Sequence, residues 1–420
     1  MKAGELPRAA AQELRRSSLR TVVIGAGHAG AQVVASLRQE GYEGEIVLIG
    51  EEAQLPYHRP PLSKAYLSGE QPLERLLIRP ARFYEDKQIE VRTETRVTRI
   101  DREHRTVELD NGEVIDWTHL VIATGSRVRH LPIPGVDLGG VHYLRNIADV
   151  DAIRRDLDSA RHMVIIGGGY IGLEVASVAV KAGKQVTVLE MEDRILQRVT
   201  RPSMSTYYTQ VHTSAGVEIR CNAAASELLG DDRVRAVRCA DGTEIPADLV
   251  IVGVGILPET GLAEAAGLEC DNGILVDEQC RTSDPDIYAI GDCTNHPSAL
   301  LGRRLRLESV PNATDQGRVA AANICGKVKS YDAVPWFWSD QYDLKLQMVG
   351  FSHDADTEVV RGDPETASFA RFYLRDGVVI AVDAVNSARD FMAAKQLVAS
   401  RKKVDPEKLA DPEVAIKELL

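Results

Sequence analysis

A strand, a glycine-rich turn and a helix occur twice along this chain, and no other feature narrows the possible folds so far. The first copy runs from the apolar stretch 21–25 through Gly25-Ala26-Gly27-His28-Ala29-Gly30 into an apolar-periodic segment ending near Leu37, and residues 46–49 supply a second apolar run. This is one half of a nucleotide-binding fold, in which a buried parallel strand delivers the chain to a turn at the N-terminus of a helix. Each glycine has its own task there. Gly25 permits the tight turn, Gly27 lets the main chain approach a pyrophosphate, and Gly30 lets the helix close on the strand. An acid after the second strand, Glu51 or Glu52, suits a ribose hydroxyl.

The pattern restarts at His162 with the apolar run 163–166, the loop Gly167-Gly168-Gly169-Tyr170-Ile171-Gly172, a helix through Val180, and a strand at 186–189 that ends in Glu190. A carboxylate at that point hydrogen-bonds the adenosine ribose of NAD and repels the extra phosphate of NADP. A single G-x-G-x-x-G is often no more than a flexible turn. Two copies, each with its strand, helix and acid, imply two dinucleotides in one chain and hydride transfer between them.

Composition removes several classes of function. A chain of 420 residues exceeds what one core supports, and no apolar run approaches the roughly 20 residues that cross a bilayer, so two or three domains and no membrane span are expected. A formal net charge of -12 argues against a nucleic-acid partner. The six cysteines (Cys221, Cys239, Cys270, Cys280, Cys293, Cys325) form no C-x-x-C pair and follow no apolar signal, which fits reduced thiols in a cytoplasm. Neither they nor the histidines suggest a metal or iron–sulfur site. Residues 1–19, mixing Arg8, Arg15 and Arg16 with Glu5 and Glu13, read as a flexible leader.

Between the two copies, residues 120–125 read as a further buried strand ending in a turn, and the glycine, proline and acidic residues at 132–137 and 255–258 mark crossings between domains. The second nucleotide-binding unit is therefore an insertion within the first. Beyond Tyr331 the texture changes. Trp336-Phe337-Trp338 introduces alternating segments at 368–374 and 378–382, joined at Arg375-Asp376-Gly377 as in an antiparallel hairpin, and a charged, helix-friendly tail follows from Asp390.

Several further stretches carry a family resemblance: residues 59–64 (Arg-Pro-Pro-Leu-Ser-Lys), Ala123-Thr124-Gly125, residues 170–174, the segment from Thr282 through Gly291-Asp292, residues 308–313, and residues 336–342. On these the chain resembles the FAD-dependent pyridine nucleotide-disulfide oxidoreductases, and within them the ferredoxin reductases of bacterial oxygenase systems, of the putidaredoxin reductase type. The resemblance implies an α/β fold with two Rossmann-like domains and a smaller α+β domain. A FAD domain would comprise 20–132 and 257–332, an inserted NAD domain 133–256, and the α+β domain 333–420. It implies noncovalent FAD contacted by Ala29, Glu51, Lys64, Val97, Arg145, Asp292 and Val310, with Ala123 in the same site. Trp338 would lie toward the nicotinamide side. Gly167, Gly169, Tyr170, Ile171, Gly172, Glu190 and Gly255 would serve NADH. In relatives the lysine equivalent to Lys64 lies near flavin N5 and pairs with the glutamate at Glu174, which makes these two the expected catalytic residues. Asp292 also reads independently, since a short acid after a strand and a glycine suits a ribityl hydroxyl.

The acceptor is decided by what the 60–67 stretch lacks. Disulfide and peroxide reductases of this superfamily carry cysteines there, and this chain has none. Cys293, beside Asp292, reads as a small buried filler. Electrons are then expected to leave for a separate protein, and the resemblance names a [2Fe-2S] ferredoxin feeding a haem monooxygenase or aromatic-ring dioxygenase. Arg303, Arg304 and Arg306 are the expected docking patch for that acidic partner. A reductase of a small acceptor such as a quinone, a rubredoxin reductase, and a redox-dependent interaction protein like apoptosis-inducing factor are the competing readings. Lack of a long basic insertion counts against the last.

Overall fold

The computed structural model describes residues 19–419, so the expected leader, apart from Leu19, lies outside the described residues. The chain divides into two compact units. The first takes residues up to His58, then Leu76–Arg127 and Pro258–Pro335, and the second takes Arg59–Arg75, Val128–Leu257 and the chain from Trp336 onward.

The first unit is built on a five-stranded parallel sheet in the order Ile287–Ala289, His119–Ile122, Arg20–Ile24, Glu45–Ile49, Ile89–Arg92. Side chains alternate across a strand, so consecutive apolar residues fill two cores. Val23 and Leu48 face one core with Val33 and Leu37 of helix His28–Gln39 and Ala320 and Ala321 of helix Val310–Ile324. Val22 and Ile24 face the other, with Val107 and Leu109 from the antiparallel strands that cover it and Trp117 from the connection that follows them. The two helices come close together because Gly317 has no side chain; a Cβ there would lie 3.2 Å from Gln32.

The second unit repeats the arrangement. Its parallel sheet runs Glu218–Arg220, Gln185–Leu189, His162–Ile166, Leu249–Val252, Val141–Tyr143. It also contains the antiparallel sheet of the C-terminal region, ordered Trp336–Gln341, Leu344–Gly350, Val378–Val385, Ser368–Arg375, Thr357–Asp363, against which helix Ala388–Ser400 packs. The expected hairpin is there, turning at Asp376 and Gly377. Among the described residues the helix-friendly tail forms two α-helices, Ala388–Ser400 and Pro406–Ala410, and a closing 3-10 turn, Ile416–Leu419; a left-handed residue ends the first and a proline starts the second. Among the described residues no helix is long and apolar enough to cross a membrane, and no cluster of His, Cys, Asp and Glu could hold a metal ion.

Candidate functional site

In the first unit Gly25, Ala123 and Asp292, three of the expected cofactor residues, follow the C-terminal ends of three neighbouring strands, whereas Lys64 and Arg145, expected at the same cofactor, belong to the second unit. Ile24, Ile122 and Ala289 are in register, so Gly25, Ala123 and the Ile290-Gly291-Asp292 turn leave the sheet side by side. In open parallel sheets that edge is where ligands bind. Gly25 has φ +110°, and a Cβ on it would clash with the Ala123 carbonyl, while a Cβ on Gly30 would clash with the carbonyl of Gly25. A Cβ at Gly27, in contrast, would meet nothing within 4 Å. The loop is thus closed against protein at Gly25 and Gly30 and open at Gly27, which fits a pyrophosphate approaching the main chain. The helix begins at His28 with no side-chain cap and no acid in its first turn, leaving its N–H groups and positive dipole end for an anion.

Asp292 stands on this edge, accepting a hydrogen bond from Ser126 Oγ at 3.0 Å. The Gly291 N–H is held by Gln316 Oε1 at 2.7 Å, and a Cβ on Gly291 would sit 3.2 Å from that of Ala29, so Ala29 and Asp292 are neighbours. Val310 is the first residue of a helix capped by Ser309, whose hydroxyl accepts from the Asn312 N–H. Glu51 is exposed and ion-paired to Arg96 at 3.0 Å, whereas Glu52 accepts from the Tyr57 hydroxyl. Val97 is buried in the core under the sheet. These residues can hold an ADP-containing cofactor through main-chain N–H groups and one short carboxylate.

The second unit carries the same cradle. Gly167 has φ +112°, a Cβ on Gly172 would strike the Gly167 carbonyl, and Gly169 opens on empty space. Helix Tyr170–Lys181 again starts without a side-chain cap or an early acid. Glu190 closes the edge: its carboxylate accepts from the Gly168 N–H at 2.8 Å and the Glu192 N–H at 2.9 Å. That fixes a negative charge against the glycine loop with lone pairs to spare for a ribose. Gly255, at φ +101°, lies across the edge near the Arg198 guanidinium. Ile171 is an exposed apolar side chain, and the Tyr170 ring packs edge-on to Phe337 at 5.1 Å.

The expected catalytic pair is also in this unit. Lys64 follows the short helical turn Pro60–Ser63, and its Nζ reaches Glu174 Oε2 at 2.8 Å and the Pro60 carbonyl at 3.0 Å. Glu174, only 2% exposed on helix Tyr170–Lys181, also accepts from Ser63 Oγ at 2.5 Å and Ser339 Oγ at 2.6 Å. A buried carboxylate with three donors, one cationic, is a fully satisfied charge. Trp338 precedes Ser339 on its strand, with its ring 5.7 Å from that of Trp336. Arg145 has its carbonyl bonded by Arg59 and its N–H by Asp149. The sequence reading missed Ser339, although it lies inside the quoted 336–342 segment.

Arg303, Arg304 and Arg306 are neighbours in the first unit, but they are used differently. Arg304 turns its guanidinium back onto the Val276 carbonyl at 2.6 Å and the Asn295 main and side chains. Arg306, 16% exposed, pairs with Glu308 and Asn272. Arg303 is exposed. All six cysteines are unbridged, and burial pushes the Cys293 thiol up to about 11, with its sulfur 3.3 Å from the Ile290 carbonyl. Such a thiol is the reverse of an activated one.

Two glycine-loop cradles in separate units, with a half-buried lysine paired to a buried glutamate, define a two-dinucleotide oxidoreductase. The chain belongs to the pyridine nucleotide-disulphide oxidoreductase family, whose model matches residues 19–317, and a reductase C-terminal domain model matches residues 336–420. It is 47% identical over 402 residues to a ferredoxin–NAD(P)(+) reductase from Sphingomonas sp, covering 95% of this chain and 97% of the relative. The crystal structure of the ferredoxin reductase for the CYP199A2 system of Rhodopseudomonas palustris matches with a TM-score of 0.93 at 44% identity, over 95% of this chain and 99% of that one. The reductase in a covalent putidaredoxin reductase–putidaredoxin complex matches with a TM-score of 0.92 at 44% identity, over 96% and 98%.

Proposed function

We propose that this protein is a FAD-dependent NADH:ferredoxin oxidoreductase that passes electrons from NADH to a [2Fe-2S] ferredoxin serving an oxygenase. The observation that carries the reading is the pair of cradles with different acids. The first unit offers Asp292 and an open Gly27 to FAD, and the second offers Glu190 to the ribose of NADH. FAD, when bound, accepts the two electrons of a hydride and releases them singly, which is what links a nicotinamide to an iron–sulfur protein.

The chain's own groups bind and orient. N–H groups at the starts of the helices at His28 and Tyr170 take the pyrophosphates, and Asp292 takes a ribityl hydroxyl. Lys64, held by Glu174, carries the positive charge that favours an electron-rich flavin. No cysteine stands in the 60–67 segment, and the buried Cys293 is unsuited to attack, so neither a disulfide nor a peroxide is supported as acceptor. The relatives named as ferredoxin reductases support a ferredoxin instead. Six unbridged thiols support a cytoplasmic location.

The purified protein should be yellow, release FAD on heating or acid treatment, and bleach with about one equivalent of NADH per flavin under anaerobic conditions. Protein that takes up no FAD, or that holds it and does not bleach with NADH, refutes the reading.

A further inference from the structure

Glu174 ends a hydrogen-bond chain that runs through the C-terminal sheet to helix Pro202–Ser214. Its Oε1 takes the Ser339 hydroxyl at 2.6 Å, Ser339 Oγ meets Gln341 Nε2 at 3.1 Å, and Gln341 Oε1 meets His212 Nε2 at 2.8 Å. His212 Nδ1 then meets the Tyr342 hydroxyl at 3.0 Å. Ser339, Gln341 and His212 are each 0% exposed, so the bonds that join them to one another and to Glu174 do not compete with water.

Elementary donor accounting fixes the direction of every link. The carboxylate paired with Lys64 only accepts, so Ser339 spends its one proton on it. The same oxygen must then accept from Gln341, which turns the amide nitrogen toward Ser339 and the carbonyl toward His212. A carbonyl only accepts, so the hydrogen of His212 lies on Nε2. Burial lowers the His212 pKa below its ordinary value of 6.5, and the neutral ring takes the Tyr342 proton on Nδ1. Four donors in series therefore aim at one carboxylate. Tyr342 reaches its place with φ +57°, a conformation rare for a bulky residue, and Lys181 Nζ lies 5.7 Å from its ring at the far end of the chain.

We propose that His212 is a positioning residue for the Lys64–Glu174 pair: through Gln341 and Ser339 it holds the Glu174 carboxylate, and with it the Lys64 ammonium, in one orientation. Packing alone would be served by apolar side chains, whereas a buried polar chain is stable only when every member is satisfied, and then it specifies a single geometry. The amide in the middle hands on orientation and not a proton, since its nitrogen and oxygen keep fixed roles. The inference rests on the reading of Lys64 and Glu174 as flavin-side residues.

A double-mutant cycle on the FAD-loaded protein tests it, with flavin midpoint potential, rate of flavin reduction by NADH, and KM for NADH as readouts. His212→Leu should shift the potential and slow reduction about tenfold, short of the roughly hundredfold that a 1 Å misplacement can cost because His212 acts through Gln341 and Ser339, while KM changes less than about twofold. His212→Gln, which offers an N–H near the Nε2 position, should recover most of the loss. In a Glu174→Gln background His212→Leu should add nothing. Additive effects there, or a folded His212→Leu protein with wild-type potential and rate, overturn the proposal. If His212→Leu does not fold, Ser339→Ala takes its place in the same cycle with the same criteria. A Glu174→Gln protein with unchanged potential and rate defeats the flavin-side reading itself, and the inference with it.

Discussion

Replacing Glu190 should weaken the preference for NADH over NADPH, and its hydrogen bonds decide by how much each variant loses activity. The carboxylate receives the Gly168 and Glu192 N–H groups at 2.8 and 2.9 Å, and under the proposed assignment to NADH it stands where a 2′-phosphate would enter. Repulsion between like charges plus a lost ribose hydrogen bond amounts to about 2 to 4 kcal/mol against NADPH. That corresponds to roughly 30- to 1000-fold in kcat/KM. Glu190→Ala removes the charge but also leaves two main-chain donors without an acceptor, so it should lower catalysis with both cofactors while narrowing the gap. Glu190→Gln keeps an acceptor for one donor and removes only the charge. It should narrow the gap with a smaller loss of NADH activity. Steady-state kinetics with a dye acceptor, run with each cofactor, measures both ratios. A wild-type preference below about threefold, or a ratio that stays put in both variants, refutes the argument.

Three further outcomes follow from the same geometry. Cys293→Ala, which removes a thiol raised to about 11 by burial, should cost stability through its small cavity yet leave NADH-driven flavin reduction intact; loss of reduction in folded, FAD-loaded protein would revive a thiol mechanism. Burial pushes the Asp383 carboxyl up from 3.8 to about 6, so the folded state prefers its protonated form, and that contribution is complete below about pH 4 and gone above about pH 6. Asp383→Asn can still accept from Thr200 and Tyr373, and it should gain about 3 kcal/mol relative to wild type between those limits; a stability difference that is flat with pH contradicts the assignment. Ferredoxin-dependent turnover should fall with ionic strength, and charge reversal at Arg303 and Arg304, both exposed on the strand Arg303–Leu305, should raise KM for ferredoxin while sparing dye reduction. A variant matching wild type at low salt moves the docking surface elsewhere.

The glycine loops were readable in the sequence because their requirement is local. A turn with positive φ, a close helix and an open approach each demand the residue type that stands at Gly25, Gly30 and Gly27, and the same grammar recurs at 167–172. Glu190 was readable for the same reason, since its distance from the loop is set by one helix and one strand. The partners of Glu174 were not. Ser63 lies 111 residues away and Ser339 165, and no periodicity announces that two serines will meet one carboxylate. The arginines at 303–306 mislead in the opposite way. Crowded in sequence, they suggest one basic surface, but the antiparallel pairing of Thr294–Ser298 with Arg303–Leu305 also ties the exposed Arg304 to Asn295 and Val276, bonds no local pattern announces. Nor did the sequence separate Arg59–Arg75 from the segments on either side, although the chain folds that stretch with the second unit.

The proposed route carries electrons from this protein to an iron–sulfur partner. Its most direct test is to reduce the FAD-loaded enzyme anaerobically with NADH, mix it with [2Fe-2S] ferredoxins from the same source, and follow the flavin and ferredoxin spectra together. One ferredoxin should be reduced, two molecules per flavin, at a rate at least about a hundredfold above reoxidation by oxygen or a quinone at equal concentration. Flavin that returns to the oxidised form faster with a quinone than with every ferredoxin offered contradicts the account.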